Sequence, residues 1–366
     1  PPVKKLAYRM NGSPSTMMAF VLRSEMQWLR YNRRTRALVI AVRSGDRQGA
    51  TEERAGMKID LLPHAYFRGE IVPFEEAKIS IATHAVQYGT GAFAGIRGYL
   101  DASGESVNIF RLPDHTRRLM DSARLLRANL NVDAAGAANV IEELVLKNNP
   151  KSDIYIRPFV YKSGIELSPR LKDVEDDLAI YMIPFGDYFE MSRPLKFLVS
   201  SWVRSTDNNI PSRGKITGAY INSAFAKDQA EEAGCDDALM LNSRGKISEA
   251  SGANFFIVRR GTLITAPVVG DILEGITRRT VIELAGELGV PVEERDIDRS
   301  ELYIAEEAFV CGTGAQIAPV GVIDGRNIGS GQMGPITKNL QDRFFDIVRG
   351  RDTSYQHYLT RVPVRD

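Results

Sequence analysis

The chain has 366 residues, 43% hydrophobic and 25% charged, so it has the length for two or three domains and the composition of an ordinary globular protein. Mean hydropathy is −0.20 and no apolar run is long enough to span a bilayer, which argues against a membrane role. Net charge is +1, Cys235 and Cys311 form no CxxC pair, and His64, His84, His115 and His357 lack metal-ligand spacing; a disulfide framework, a metal centre and global nucleic-acid binding are all disfavoured.

The charge is uneven along the chain. Residues 1–56 hold eleven Lys+Arg and four Asp+Glu, a local charge of +7, so residues 57–366 are mildly acidic. This basic stretch has little periodicity. It reads as a targeting peptide, as a basic arm for an acidic partner, or as translated upstream sequence with the ancestral start at Met57. The last is favoured, because a well-patterned domain follows directly. The cysteine usage fits a reducing, cytoplasmic setting.

Residues 65–74 alternate apolar and polar and predict a hairpin closed at Arg68-Gly69. A glycine-rich run covers 88–99, and 108–110 is strand-like. Asp114 is placed to cap a helix whose apolar residues Leu119, Ala123, Leu126 and Leu130 recur at helical spacing. A second helix is expected over 134–147, then strands over 155–161 and 178–183. Glycines and prolines punctuate 184–194, the candidate linker. The domains are read as 57–187, smaller, and 195–366, larger, joined by 188–194. The second half predicts a strand over 196–203, a helix over 222–233, a strand meander over 238–265, and a helix over 277–288 stopped by Gly289 and Pro291.

Four segments carry chemistry. Lys215 sits among small residues in Arg213-Gly214-Lys215-Ile216-Thr217-Gly218, with Tyr220 five residues on. A lysine amine becomes a nucleophile toward carbonyls once it is desolvated or set near another cation. Glu249 lies in the strand meander among small residues, where burial would demand a cationic partner. Gly275-Ile276-Thr277 precedes a helix, and its free N–H groups and the helix dipole suit a phosphate. Cys311-Gly312-Thr313-Gly314 is a small-residue turn after a strand, open to an anion. Taken singly, these also read as a solvated loop lysine, a turn-edge glutamate, ordinary helix capping and a tight turn. Together they meet the needs of pyridoxal phosphate: a nucleophilic lysine, an acid for the ring nitrogen and two phosphate-ready turns.

The order of segments resembles the fold-type IV pyridoxal-phosphate enzymes, most closely the branched-chain amino acid aminotransferases. The resemblance runs from about 65 to 350. It rests on Gly-x-Phe-x-Gly-Ile-Arg at 91–97, Tyr-Ile-Arg-Pro at 155–158, Gly-Lys-x-x-Gly-x-Tyr at 214–220, Ser-Glu-x-x-Gly-x-Asn at 248–254, Gly-Ile-Thr-Arg at 275–278 and Gly-Thr-x-x-x-Ile-x-Pro at 312–319. It implies a mixed α/β, two-domain architecture with the cofactor at the domain interface. Lys215 would bond the cofactor and shuttle the proton between it and the substrate Cα. Glu249 would keep the pyridine nitrogen protonated, and Tyr220 would bond the phenolic oxygen. Arg118 would take the phosphate with Ile276, Thr277 and Thr313; spacing does not choose Arg118 over Arg117, and the resemblance does. Tyr155 and the Gly312–Gly314 turn would receive the α-carboxylate. Tyr88, Phe93, Gly95, Arg97, Arg157, Phe185 and Tyr188 would line the substrate side, with Arg157 serving the γ-carboxylate of glutamate and Tyr88 coming from a neighbouring subunit.

The resemblance thus implies amino acid and 2-oxo acid substrates, and a homo-oligomer of at least two chains, with a hexamer admissible. Two departures border the side-chain pocket. After Arg157 the chain reads Phe-Val-Tyr-Lys-Ser-Gly-Ile-Glu-Leu-Ser-Pro where many members have a loop with a Gly-Met-Gly core, and Phe185 stands where some carry tryptophan. The paired redox cysteines of some mitochondrial members are absent. The alternatives within the fold are D-amino acid or (R)-amine transaminases and aminodeoxychorismate lyases.

Overall fold

The alternation after residue 63 folds as the expected hairpin, β1 (His64–Phe67) on β2 (Glu70–Pro73), in the computed structural model, which describes residues 60–190 and 193–364. Arg68 and Gly69 turn it with φ of 52° and 87°, the left-handed pair that a two-residue hairpin needs. The readings of residues 1–56 lie outside the described residues. The chain continues through α1 (His84–Tyr88), β3 (Gly91–Phe93), β4 (Ile96–Leu100), β5 (Ser106–Phe110), α2 (Leu112–Leu125), α3 (Ala134–Asn148), β6 (Ile154–Lys162) and β7 (Asp176–Pro184). These strands form an antiparallel sheet in the order β2-β1-β7-β6-β4-β5, with β3 also on β6. Helices α2 and α3 cover one face, burying Leu119, Ile141 and Leu144 against Ile96, Ile109 and Ile156.

The second half begins with β8 (Leu195–Val199), α4 (Tyr220–Glu232), β9 (Asp237–Leu241), β10 (Ile247–Ala250), β11 (Asn254–Arg259), β12 (Thr262–Thr265) and α5 (Ile276–Glu287). It continues with β13 (Val292–Glu294), α6 (Arg299–Leu302), β14 (Glu307–Gly312), β15 (Gln316–Ile323), β16 (Arg326–Asn327) and α7 (Pro335–Val348). Its sheet runs β10-β9-β8-β15-β14-β11-β12-β13, with β16 on β15. Strand β8 is parallel to both its neighbours, and the other ladders except β12–β13 are antiparallel. The chain then returns: β17 (Leu359–Pro363), within the stretch read from sequence as the larger domain, pairs with β5 of the first sheet. The sheets also share a core, in which Tyr99 and Phe110 of the first pack with Phe309 and Phe344 of the second half.

Three sequence expectations are corrected. Asp114 does not cap α2. The cap is Arg111 at φ 49°, because Pro113 is suited to the first helical turn and the helix therefore starts earlier. Asp114 instead bonds Arg117 at 3.2 Å and Arg279 at 2.7 Å. The helix also stops at Leu125 instead of running on to Leu130. Arg127 turns left-handed at φ 55°, and the N–H of Ala128 closes onto the carbonyl of Ala123. The strand expected through residue 203 ends at Val199; the Ser200 N–H still reaches the Leu239 carbonyl at 2.8 Å, but the next N–H, of Ser201, turns to Gln229 Oε1 at 3.0 Å.

Candidate active site

Lys215 lies in the loop between β8 and α4, clamped by its backbone. Its carbonyl accepts from the N–H of Phe93 at 3.0 Å, and Ala92 and Ile216 form a bridge. Gly214 lets the loop lie close to the end of α2: a Cβ there would stand 2.8 Å from Leu125 Cδ1. The side chain is half-buried, with Nζ 5.2 Å from the Phe93 ring centroid and 5.3 Å from that of Tyr220. Burial, followed by the charge of Arg118, pulls the amine's pKa down to about 7. A free lysine is almost wholly protonated at neutral pH; this one is poised to attack a carbonyl. Tyr220 packs on Phe93 with ring centroids 4.9 Å apart. Burial, and then the nearby Glu249, push its hydroxyl up to about 12, so it stays a hydrogen-bond donor.

Glu249 is buried on β10, where a bulge against β9 re-aims the strand. Its Oε1 meets Arg204 Nη2 at 2.6 Å; its Oε2 accepts from Asn254 Nδ2 at 2.9 Å and from the N–H of Leu273 at 3.2 Å. Burial raises its carboxyl pKa, and Arg204 opposes that shift. The cationic partner demanded by burial is therefore Arg204, which sequence reasoning missed. Asn254 closes the Ser-Glu-x-x-Gly-x-Asn motif but had been given no role.

The same asparagine leads to the anion end. A Cβ at Gly275 would fall 1.9 Å from Asn254 Oδ1, so only glycine allows α5 to begin here. Gly275 is the N-cap and offers no side chain, which leaves the first-turn N–H groups of Ile276 and Thr277 for another acceptor. Arg118 of α2 reaches this point, its Nη1 donating to the carbonyl of Glu274 at 3.2 Å, whereas Arg117 is exposed and paired with Asp114. Buried His115, one turn before Arg118, has an Nδ1 without a hydrogen-bond partner. Burial, with Arg118, Lys215, Arg111 and Arg279 nearby, holds it well below the usual histidine range and therefore neutral. Cations, uncapped N–H groups and an unpartnered polar atom fit a phosphate; Glu249 fits a protonated ring nitrogen; Lys215 fits an aldehyde. The residues present thus suit pyridoxal 5′-phosphate.

The substrate side is built on β3 and β6. Arg157 lies with its guanidinium 4.3 Å from the Phe93 centroid, and its Nη2 donates to the Tyr155 hydroxyl at 3.1 Å. Tyr155 packs on Phe185 at 5.1 Å, and Gly95 makes room for it, since a Cβ there would be 2.0 Å from its hydroxyl. Arg97 is buried and committed to backbone. Its Nη2 donates to the carbonyls of Phe185 at 3.2 Å and Gly186 at 2.7 Å, and its Nη1 approaches Gly314 O at 3.5 Å. It braces the Gly312–Gly314 turn against the segment after β7. Thr313 and Gly314 are half-buried on that turn, with the exposed Tyr188 ring 3.6 Å from where a Gly314 Cβ would lie. Tyr88 is on α1, 37% exposed, its ring tilted against that of His84 with centroids 4.7 Å apart.

With this geometry in place, comparison with known proteins is direct. Residues 92–323 match the family described as Amino-transferase class IV. A probable branched-chain-amino-acid aminotransferase of Aquifex aeolicus is 47% identical over 299 residues, which is 81% of this chain and 96% of that protein. This chain belongs to the branched-chain-amino-acid aminotransferases. The aminotransferase fold is matched in solved structures too. The branched-chain aminotransferase of Thermoproteus uzoniensis with norvaline superposes with a TM-score of 0.79 at 41% identity, covering 83% of this chain and all of that one. The branched-chain amino acid aminotransferase of Thermobaculum terrenum in its PLP-bound holo-form also gives 0.79, at 39% identity, covering 82% and 99%. Among the described residues of this aminotransferase, no helix is long and apolar enough to cross a membrane.

Proposed function

We propose that this aminotransferase moves the amino group of leucine, isoleucine or valine to 2-oxoglutarate, giving branched 2-oxo acids and L-glutamate with pyridoxal 5′-phosphate as carrier. The observation that carries the reading is Lys215. Its amine, brought to about 7, lies against Phe93 and Tyr220 in the fields of Arg118 and Glu249. When bound, the cofactor supplies an aldehyde for the nitrogen and a ring that withdraws electrons from the substrate Cα. Lys215 would hold the cofactor's aldehyde end in the resting enzyme, and its amine would be the group that takes the proton from the substrate Cα. Glu249, whose charged form Arg204 favours against burial, would pair with the ring nitrogen and favour its protonation. Tyr220 donates to the phenolic oxygen. Arg118, the N–H groups of Ile276 and Thr277, and Thr313 hold the phosphate. Tyr155 and the Gly312–Gly314 turn, braced by Arg97, receive the α-carboxylate.

One pocket must take both an apolar branched side chain and the glutamate γ-carboxylate. Phe93, Phe185 and Tyr188 offer apolar faces, and Arg157 the cation. We assign Tyr88 to the pocket of a neighbouring subunit, in at least a dimer. Ile81, Val86, Ile165 and Leu167 support this, being exposed on two segments that His84 joins. Its N–H donates to Gly164 O at 2.9 Å and its Nε2 to Ser168 O at 2.8 Å. A cytoplasmic location, and a division into domains of 57–187 and 195–366 linked by 188–194, belong to the same proposal. The test is spectroscopic. The purified protein is expected to be yellow, and its visible band to bleach with L-leucine or L-glutamate. Bleaching by D-alanine but by neither L-amino acid would overturn the branched-chain reading in favour of another fold-type IV activity.

A further inference from the structure

Ser122 is buried in α2, one turn after Arg118 and only 1% exposed. Its hydroxyl is used twice. It donates to the carbonyl of Arg118 at 2.8 Å and accepts the backbone N–H of Lys215 at 3.1 Å. A serine bonding back to the i−4 carbonyl adds nothing to a helix and tends to bend it. Alanine would fill the same space and is the better helix former, so packing does not explain a serine here. The partner across the loop does. The Lys215 carbonyl is held by Phe93 on β3, and its N–H by Ser122 on α2, so both peptide groups flanking its Cα are fixed from opposite sides.

We propose that Ser122 is a positioning residue for Lys215, referring the backbone of the nucleophile to the helix turn that carries Arg118. The proposal rests on the assignment of Lys215 and Arg118 given above. Arg118 would anchor the phosphate end of the cofactor, and Lys215 must reach its carbonyl end. One hydroxyl that touches both residues' backbones fixes the offset between them. Removing it leaves the Lys215 N–H without its acceptor and frees the loop from α2 without touching substrate, cofactor or the reacting atoms.

The test uses the full-length holoenzyme as wild type, Ser122→Ala and Ser122→Thr. A misplacement on the order of 1 Å can cost about a hundredfold in rate, so kcat of Ser122→Ala is expected to fall about ten- to a hundredfold. KM for L-leucine should stay near wild type, and the pH midpoint of the visible band should move. Ser122→Thr can keep its hydroxyl on the i−4 carbonyl, the position from which the oxygen accepts the Lys215 N–H, and should recover most of the rate. An alanine variant with wild-type kcat and midpoint, whether or not its thermal stability drops, overturns the proposal. Should both variants fail to fold, hydrogen exchange at the Lys215 amide of the wild-type protein decides. Slow exchange is expected, and exchange at the unprotected rate overturns it. Borohydride reduction and peptide mapping run alongside: cofactor trapped on another lysine overturns the assignment of Lys215 itself, which the kinetics of Ser122 variants would not reveal.

Discussion

A half-buried amine titrating near 7 makes Lys215 a liability as well as a tool. In the cofactor-free protein its folded pKa is about 7, against 10.5 for the ordinary side chain. The unfolded chain therefore binds more protons between those values, and stability rises with pH across that window. Below pH 7 the full cost of the enclosed cation is present. Lys215→Met should accordingly raise the melting temperature of cofactor-free protein most below pH 7, with the gap closing toward pH 10.5; a pH-independent gap would contradict the assignment. At the substrate side, Gly95→Ala places a methyl 2.0 Å from the Tyr155 hydroxyl and must displace it from Arg157. Steady-state kinetics should show a raised KM for both amino acid and 2-oxo acid, and an unchanged KM would remove Tyr155 from carboxylate binding. Lys215, Tyr220 and Glu249 were legible in sequence because each sits in a local motif whose chemistry is carried by neighbours. Arg204 was not, since nothing near residue 204 says that it meets Glu249, 45 positions on, across a bulged strand.

Among the elements, α2 and α5 matter most, because they bring together Arg118 and the uncapped N–H groups proposed to hold the phosphate. Periodicity found both helices but misjudged the ends of α2, where Pro113 sets the start and a left-handed Arg127 the finish. Reading only apolar positions also hid that one face of α2 carries His115, Arg118 and Ser122, polar residues at i, i+3 and i+7 turned toward the site. At α5 the glycine of Gly-Ile-Thr-Arg was correctly seen as a helix start, but its reason lies in the third dimension: Asn254 occupies the space where a side chain would go. Gly275→Ala should push Asn254 from Glu249 and shift the first turn of α5 together. Absorbance titration is expected to show weakened cofactor affinity, and overpacking of this kind costs about 1–3 kcal/mol of stability. Wild-type affinity in that variant would show that the helix start can move without disturbing the site.

For the whole molecule, the two sheets are held by more than the loops between them. Arg349, which follows α7, grips Asp153, just before β6, with two bonds of 2.8 and 2.7 Å, and also reaches the Leu100 carbonyl at 3.1 Å. Arg349→Met should cost about 1.5–3 kcal/mol in urea unfolding, the usual worth of hydrogen bonds to charged groups, while kcat stays near wild type. A large loss of kcat with unchanged stability would instead place this clamp in the catalytic machinery. The alternating strands and paired helices made the mixed α/β class readable, whereas pairing between distant strands was not, since alternation gives a strand's faces and not its neighbour.

Strand β17 completes the first sheet from the far end of the chain. Seen from the ribosome, this makes order of synthesis a physical constraint. Strands β1 to β7 emerge first and can pair, yet β5 must keep one side of its backbone open while the entire second sheet is translated. An unpaired strand edge invites pairing with any passing chain. In nascent aminotransferase the open edge at Ser106–Phe110 is therefore a hazard that lasts until β17 has been translated, however stable the finished enzyme is.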